Sequence, residues 1–365
     1  MLSELSELSE NEKRIQELSQ ELAECLYKQS QVETFNNLGE IEITVRDLMN
    51  QYVNPVVGGF FIKTSTEETA GRIRTIKSIL GDLPVTEKQA KKLDVKPRTQ
   101  MSPTLEKHCL LLSGDESYEK AAKKIKSLTG IAVSHSTQQR LVHRYHFEEL
   151  PSDTEVEEMS IDGGKVRLRT PKGEPLIWRD YKGVSFHHLG VAAFFQDNSA
   201  LLDLVNSQVL ANPLVCLGDG HDGIWNLFRE IGEKEQRIEI LDWYHLMENL
   251  YKVGGSFQRI EEVKSFLWEG KVDDAISCFE GWSEHQVENF IIYLNKHKHR
   301  IINYGYFQAE GISIGSGSVE SQVKQIGHRL KITGASWNSD NVPQVLRHRS
   351  AYLNDLALVS SSQKL

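Results

Sequence analysis

The sequence has no apolar run approaching the length that crosses a membrane, and its first residues lack the pattern of a secretory signal. Residues Met1 to Glu12 instead alternate leucine with serine and glutamate. Cysteine is scarce as well: the four cysteines are far apart in sequence, and no two form a C-x-x-C pair. This spacing favours neither a zinc ribbon nor a disulfide framework, as expected in a reducing cytosol. We therefore expect a soluble, intracellular protein with no membrane partner.

An excess of basic residues is also absent, since the formal net charge is −9 over 365 residues. This balance argues against a protein that coats nucleic acid through bulk charge. The charge is nevertheless uneven, because residues 1–24 and 148–158 are acidic, whereas 120–126, 140–144 and 324–349 are basic. An acidic total with basic islands is compatible with binding a duplex along one face. The length allows two or three domains.

Residues 1–100 carry no chemistry that we can identify. Apolar residues recur every seven positions at Leu8, Ile15 and Leu22, which predicts a short amphipathic helix ending near Cys25. Two arrangements would bury its apolar side: pairing with a second copy of the helix, or packing on the body of the chain itself. The sequence leaves both open.

Three further patterns describe the rest of this N-terminal region. The alternation over Ile41–Val45 predicts a strand. The segment Val53–Phe61, with its proline and glycine pair, predicts an irregular turn. The segment Glu67–Leu80 then predicts a helix.

From Pro103 the spacing of apolar residues predicts three short helices, over 105–112, 117–128 and 134–145, with a turn at Gly130. Such a set resembles a helix-turn-helix, in which the final helix reads DNA. Side chains that can pair with base edges lie on that helix, namely Gln138, Gln139, Arg140, His143 and Arg144. A solvated helical hairpin without a DNA partner would show the same pattern.

After an acidic linker over 148–157, the periodicity changes from helical to strand-like. A strand-like pattern runs over 158–169 and alternates after the pair Gly163-Gly164, and further strands are predicted over 186–195, 215–217 and 238–241. The chain from Leu241 to about Tyr306 is predicted to be helical, and a last helix follows the turn Gly315-Ser316-Gly317.

Acidic residues stand where two of these strands are predicted to end. Asp162 and Asp219 each follow an apolar run and precede a glycine, and Glu320 lies near the start of the last helix. Clustered carboxylates repel one another unless a cation lies between them, and hard divalent cations prefer oxygen ligands. Two strand-borne aspartates and a helix-borne glutamate are the inventory of a two-metal phosphodiester site. The alternative is that each acid only caps a turn or a helix.

Four motifs around these acids resemble a DDE transposase of a bacterial insertion sequence, of the Kra-type group, and are more distantly similar to Mutator-like transposases. They are SIDGGKVRLR around Asp162, GDGHDGIWNL around Asp219, ILDWYHLMENL from Ile240, and IGSGSVESQVKQIGHRLKITGASW around Glu320. Each motif alone is weak, but all four occur in the expected order. The resemblance covers about residues 100–355, including the run SYEKAAKKIKSLTGIAVS in the helix-turn-helix.

The resemblance implies an α/β fold, with an RNase H-like catalytic core, an all-helical insertion, and a preceding α-helical helix-turn-helix domain. The implied N-terminal region (1–100) is helical or mixed, has no known role and is a candidate for dimerisation. It is followed by the helix-turn-helix domain (101–147). The core then has a first part (158–244), an insertion (245–306) and a second part with the glutamate helix (307–355), followed by a flexible tail (356–365). Relatives often carry a cysteine-rich zinc ribbon before the helix-turn-helix, and the first 100 residues here have no such ligands.

By the same resemblance, Asp162, Asp219 and Glu320 hold two Mg²⁺ or Mn²⁺ ions. Asp242 and His245 match a (Cys/Asp)-x-x-His signature that several such families carry after the second catalytic aspartate. These two residues contact metal or DNA during catalysis, or else the histidine only holds the turn through a hydrogen bond.

Basic and aromatic residues near the acids are candidates for DNA contact. Lys165, Arg167 and Arg169 alternate along the strand after Asp162, so they share one face. A second stripe, at three- and four-residue spacing behind Glu320, consists of Lys324, Gln325, His328 and Lys331. Trp337 either stacks on an unpaired base or is buried against the core. A solvated charged face would show the same basic spacing.

The sequence thus predicts a DNA transposase whose helix-turn-helix holds the terminal inverted repeats while the acids direct cleavage and strand transfer into target DNA. Its expected partners are DNA and further copies of itself, and its expected location is the prokaryotic cytoplasm, at the nucleoid. Two rivals remain: an RNase H-like nuclease or resolvase that cuts without joining, and a domesticated or inactive DNA-binding derivative. Three intact acids argue against the second rival, because binding alone gives no reason to keep a repulsive cluster.

Overall fold

The computed structural model describes residues 9–30, 32, 34–148, 150, 153–315 and 319–355, without the side chains of 319–323. The described chain is a mixed α/β protein. It divides into two compact units, one built from residues up to Leu112 together with Tyr118–Gln138, the other from Ser113–Ser117 together with the chain from Gln139 onwards. No helix in these ranges is both long and apolar enough to span a membrane. The expected tail over 356–365 lies outside them, and the functional domain limits stay predictions.

The first unit is mostly helical. Its elements are α1 (Glu10–Ser30), α2 (Leu38–Leu48), α3 (Asn54–Thr66), β1 (Ile73–Ser78), β2 (Gly81–Thr86), α4 (Glu87–Lys92), α5 (Pro103–Asp115), α6 (Tyr118–Thr129) and α7 (His135–Arg144), with the last residues of α5 and α7 assigned to the second unit. A π-helical turn, Met49–Val53, joins α2 to α3. β1 and β2 form an antiparallel hairpin. The helix predicted from Leu8 to Cys25 appears as α1, and the three helices predicted after Pro103 appear as α5, α6 and α7.

Three predictions for the N-terminal region are wrong. The segment Ile41–Val45 lies in α2 rather than in a strand, because Asn37 caps that helix by accepting from the Glu40 N–H at 3.0 Å. Val53–Phe61 is largely helical, since its proline falls in the first turn of α3, where the missing N–H is tolerated. Glu67–Leu80 contains strand β1, which is stabilised by pairing with β2, a partner that local spacing does not reveal.

The second unit is built on a five-stranded mixed sheet. Its elements are β3 (Glu155–Leu168), β4 (Ile177–Phe186), β5 (Gly190–Phe195), α8 (Asn198–Asn206), β6 (Val209–Gly218), α9 (Asp222–Phe228), β7 (Arg237–Leu241), α10 (Trp243–Val253), α11 (Phe257–Trp268), α12 (Val272–Ser277), α13 (His285–His297), α14 (Tyr304–Ala309), α15 (Val319–Leu330) and α16 (Val342–Leu353). The strand order is β5-β4-β3-β6-β7. β4 is antiparallel to β3 and β5, whereas β6 and β7 run parallel to β3.

Helices cover both faces of this sheet. One face packs through residues such as Ile161 and Cys216, which form one cluster with buried side chains of α9 and of the helices after β7. The other face packs through Val166 and Tyr181 against Ile326 and neighbouring residues of α15 and α16. The helical character predicted between Leu241 and Tyr306 is confirmed by α10 to α14.

The single strand predicted over 186–195 is wrong, because the chain reverses direction within it. β4 ends at Phe186 and β5 begins at Gly190, with a turn between them. The first half of β4 escaped prediction because Ile177 and Trp178 are adjacent and two charged residues follow them, so apolar and polar residues do not alternate there.

The outer edge of β5 is capped by a side chain at Val191. The Val191 N–H donates to Asn354 Oδ1 at 2.7 Å, and Asn354 Nδ2 donates to the Val191 carbonyl at 2.8 Å. Asn354 directly follows α16, so the end of that helix supplies the two hydrogen bonds that a neighbouring strand would otherwise make.

Candidate carboxylate site across three parallel strands

The sheet register brings three aspartates to the same level. The paired residues just before them are Ile161 on β3, Gly218 on β6 and Leu241 on β7. The next residue in the chain after each of these is an aspartate: Asp162, Asp219 and Asp242. The Asp242 N–H donates to the Gly218 carbonyl at 2.9 Å, which extends the pairing by one step. Since neighbouring strands lie about 4.8 Å apart, the three acids are close neighbours.

Asp162 does not end its strand, contrary to the prediction. β3 continues to Leu168 through its pairing with β4, and only the pairing with β6 stops beside Asp162. The side chain is half-buried, and its Oδ1 accepts from the Gly163 N–H at 2.6 Å. Burial, and then the Asp162 charge, raise the pKa of Tyr181 on β4 to about 12. Tyr181 therefore stays protonated beside the carboxylate.

Asp219 begins the turn from β6 into α9. Its half-buried carboxylate accepts from the His221 N–H through Oδ1, at 2.8 Å. The residue that caps α9 is His221, whose Nδ1 accepts from the Gly223 N–H at 3.1 Å. Asp219 is therefore not the cap of that helix. It stabilises the turn through one of its two carboxylate oxygens, Oδ1.

Asp242 and His245 form a close pair at the third strand. Asp242 is 1 % exposed and caps α10, with Oδ1 accepting from the His245 N–H at 2.8 Å. His245 Nδ1 lies 3.1 Å from the same oxygen, as an ion pair rather than a well-aligned hydrogen bond. Asp242 raises the pKa of His245 to about 9, against the effect of burial, and the charges of Asp219 and Asp162 raise it further. The histidine is consequently a cation at neutral pH.

Glu320, the third predicted metal ligand, lies in the first turn of α15, but its side chain is outside the described part of the chain. The segment leading towards it is anchored on both sides. The Trp243 N–H donates to the Ile314 carbonyl at 3.0 Å, and the Ser313 N–H donates to Glu158 Oε1 at 3.3 Å.

This segment passes directly beside the aspartates. A Cβ placed on Gly315 would lie 3.6 Å from Asp242 Oδ2. Chain connectivity keeps the start of α15 at Val319 within at most about 14 Å of Gly315. α15 packs on β3 through the face that also carries the Asp162 side chain, since Asp162 and Val166 are an even number of residues apart.

The charge of this site suits a cation, because three carboxylates at one level raise the pKa of the histidine among them. Asp162, Asp219 and Asp242 are the described residues that could bind a divalent ion there. Within the described side chains, no three carboxylate, imidazole or thiolate groups already converge as metal ligands would. The ligand set of Asp162, Asp219 and Glu320 thus stays a prediction.

Most of the predicted DNA contacts on α7 are exposed to solvent. Gln139, Arg140 and Arg144 are exposed, and His143 is half-buried. Gln138 is fully buried, with its amide directed at the Val133 carbonyl at 3.5 Å, so it cannot meet a base.

The basic residues of β3 are divided between solvent and the protein. Lys165 is exposed, but Arg167 donates through Nε to the Ala335 carbonyl at 2.9 Å, and Arg169 to the Ser336 carbonyl at 3.2 Å. The three residues follow Asp162 by three, five and seven positions. Because successive side chains of a strand point to opposite faces, all three lie on the face opposite Asp162. Arg167 and Arg169 therefore anchor the segment after α15 instead of flanking the acids.

The stripe on α15 is solvent-facing, because its members Lys324, Gln325 and His328 are exposed, as is Lys331 just beyond the helix. Trp337 is half-buried against the cluster formed by α15 and α16, and its indole N–H donates to the Leu330 carbonyl at 3.1 Å. Of the two alternatives for Trp337, packing against the core describes its position.

The structure also shows basic residues that sequence patterns did not indicate. Lys182, on the unpredicted strand β4, reaches the turn after Asp219, where its Nζ would lie 3.8 Å from a Cβ on Gly223. In the first unit, a groove of about 580 Å³ beside the start of α7 is lined by Lys77, Lys123 and Lys126. Neither set has a local sequence signal, because each depends on pairing or packing between distant segments.

No protein-family model and no curated protein matches this chain.

Proposed function

We propose that the protein is a DNA transposase that cleaves the ends of an insertion sequence and joins them to target DNA by a metal-dependent DDE mechanism. The observation that carries this proposal is the alignment of Asp162, Asp219 and Asp242 at one level of the sheet. A mixed sheet covered by helices on both faces, with acids at adjacent strand positions, supports the RNase H-like core that the motifs imply.

In this proposal, Asp162 and Asp219 hold the divalent ions, with Glu320 as the further ligand implied by the motifs. Two Mg²⁺ or Mn²⁺ ions, when bound, activate the attacking oxygen and stabilise the leaving one. The chain's own contribution is to fix the acids: the sheet register sets their spacing, and backbone N–H groups orient Asp162 and Asp219. Asp242 holds His245 as a cation, which partly offsets the repulsion between the acids before an ion binds.

The DNA-binding role is assigned to exposed residues of α7 and α15. On α7 these are Gln139, Arg140 and Arg144, in the arrangement of a recognition helix. On α15, Lys324, His328 and Lys331 offer cations behind the acidic site, where phosphates of the cleaved strand would lie. The proposed partners are the terminal inverted repeats and target DNA, and the proposed location is the prokaryotic cytoplasm, at the nucleoid.

The test is Mg²⁺-dependent nicking and joining of a labelled duplex that carries the ends of the DNA flanking this gene. We expect the wild-type protein to release 3′-OH ends and to transfer them to a second duplex, and the Asp162→Ala variant to do neither. Nicking without transfer would support the nuclease or resolvase rival. Sequence-specific binding without any metal-dependent cleavage would move the function to a DNA-binding derivative.

Self-association completes the proposal, and α1 is its proposed element. None of the residues of this 21-residue helix is buried, and Ile15 and Leu18 are 62 % and 47 % exposed. Packing on the chain's own body accounts for part of α1, since Leu22 is half-buried and the helix contacts α2, whereas Ile15 and Leu18 are left for a second copy. An isolated amphipathic helix is only marginally stable in water, which favours pairing with a second copy.

Replacing both Ile15 and Leu18 by aspartate is therefore expected to weaken self-association at least tenfold. Sedimentation velocity over a range of concentrations measures the effect, and circular dichroism checks that the remaining helices are retained. The control is Gln20→Asp, which adds charge at an exposed position of α1 outside the seven-residue repeat. A wild-type protein that stays monomeric at tens of micromolar, with or without the two end duplexes, would contradict this assignment.

A further inference from the structure

Helix α13, in the helical segment between β7 and α15, closes over the turn that carries Asp219. A Cβ placed on Gly220 would lie 2.7 Å from the Tyr293 hydroxyl oxygen, and the ring atoms beside it are equally close. No side chain larger than that of glycine fits there unless the ring moves. One turn further along α13, Lys296 forms an ion pair with Asp222 at 2.6 Å, but both side chains are exposed and water screens them. The close packing of the Tyr293 ring on Gly220 therefore holds the turn from the side of α13, in addition to the hydrogen bonds within the turn.

The Tyr293 hydroxyl is within electrostatic range of Asp219 and Asp242. It is shielded from water, and the Asn249 side chain beside it does not meet ordinary hydrogen-bond geometry. Burial raises the pKa of Tyr293, and the negative charges of Asp219 and Asp242 raise it further. The phenol is thus protonated, and no described residue forms a well-aligned hydrogen bond with its hydroxyl.

We propose that Tyr293 is a positioning residue for Asp219, because its ring packs on Gly220, the residue that directly follows this aspartate. The helical segment after β7, to which the sequence assigns no role beyond that of an insertion, then determines where the Asp219 carboxylate lies. The catalytic consequence rests on the proposed function. Displacement of a reacting group by about 1 Å can lower a rate on the order of 100-fold, so a small shift of this turn is sufficient.

Substitutions that enlarge the side chain at position 220 and reduce the one at position 293 test the contact. We expect Gly220→Ala to lower the single-turnover cleavage rate at least tenfold at saturating DNA, with the DNA concentration for half-maximal rate changed less than threefold. Adding Tyr293→Ala to that variant should recover at least half of the lost rate on a logarithmic scale, because the methyl group gains the space of the ring. Adding Tyr293→Phe should not, since the ring remains. Ile292→Ala, at an exposed position of the same helix, is the matched control and should cleave at the wild-type rate.

Hydrogen exchange of the peptide spanning residues 218–223 gives a readout that does not require cleavage. We expect faster exchange in Tyr293→Ala, and wild-type exchange in Tyr293→Phe and Ile292→Ala. Equal exchange in all four proteins, or equal rescue of Gly220→Ala by phenylalanine and alanine, would overturn the proposal. A wild-type protein without cleavage would instead refute the proposed function, and the exchange result would still decide the role of Tyr293.

Discussion

Replacing Asp219 by asparagine will lower the rate of strand cleavage by at least about 10³-fold, which corresponds to about 4 kcal/mol of transition-state stabilisation. Asparagine keeps the shape of the side chain and the oxygen that accepts from the His221 N–H, so the turn into α9 is preserved. In the proposed function, the substitution removes a negative charge that would hold a divalent ion, and with it the activation of the attacking oxygen. Binding of the end duplex should change less than twofold, because the proposed DNA contacts of α7 are untouched.

Single-turnover cleavage of a labelled end, with fluorescence anisotropy for binding, separates these two effects. The matched control is Asp222→Asn in the same turn, where the carboxylate is 67 % exposed and paired with Lys296. It should retain cleavage within about threefold, since a screened surface pair contributes little. Cleavage by Asp219→Asn at the wild-type rate would exclude this residue as a metal ligand. An equal loss in both variants would indicate that the turn, rather than one carboxylate, had been damaged.

The second large effect is expected at Asp242, and it depends on pH. Asparagine caps helices as well as aspartate does, so Asp242→Asn should leave α10 intact while removing the charge beside His245. In the wild-type protein, the pKa of His245 is raised from 6.5 to about 9. A raised pKa in the folded state stabilises the fold fully below pH 6.5, and this stabilisation is lost as the pH rises through 9. The gap in unfolding free energy between the two proteins should therefore be on the order of 2 kcal/mol at pH 6 and should nearly close by pH 9.5.

Urea unfolding at several pH values, in the absence of divalent ions, measures this gap. The His245 ring signals in an NMR titration report the same change directly, since the pKa in the variant should return towards its ordinary value. Asp203→Asn is the control, because it removes an acidic charge from α8 without contacting His245. A gap that stays constant from pH 6 to pH 9.5 would show that the two side chains are not coupled.

Parts of the site follow from local sequence and parts do not. The apolar run that ends at Gly218 marks a buried strand, and the acid after it could be placed at a strand end correctly. Asp162 was placed at a strand end for the same reason, yet Gly163 and Gly164 continue β3. Gly164 lies under the ring of Tyr181, where a Cβ would collide, so this glycine serves close packing on the neighbouring strand rather than a turn.

Long-range partners account for the remaining errors. The register that aligns Asp242 with the other two acids is set by β6 and β7 together, and no spacing within either strand contains it. Tyr293 is separated from Gly220 by most of the helical segment, so only the packed structure shows their contact. In α2, alternating β-branched residues favoured a strand, and the Asn37 cap with its following turns overrode that preference.

The amide of Asn354 has a consequence for solubility. A sheet edge with free N–H and C=O groups is a template on which another chain can add a strand, and such addition propagates into aggregates. At β5, both groups of Val191 are already engaged by one side chain at 2.7 and 2.8 Å. Asn354 acts there as a strand one residue long, which blocks this part of the edge against extension by a further strand. Asn354 thus protects the chain against aggregation through this edge. Its position is set by the packing of α16 on β5.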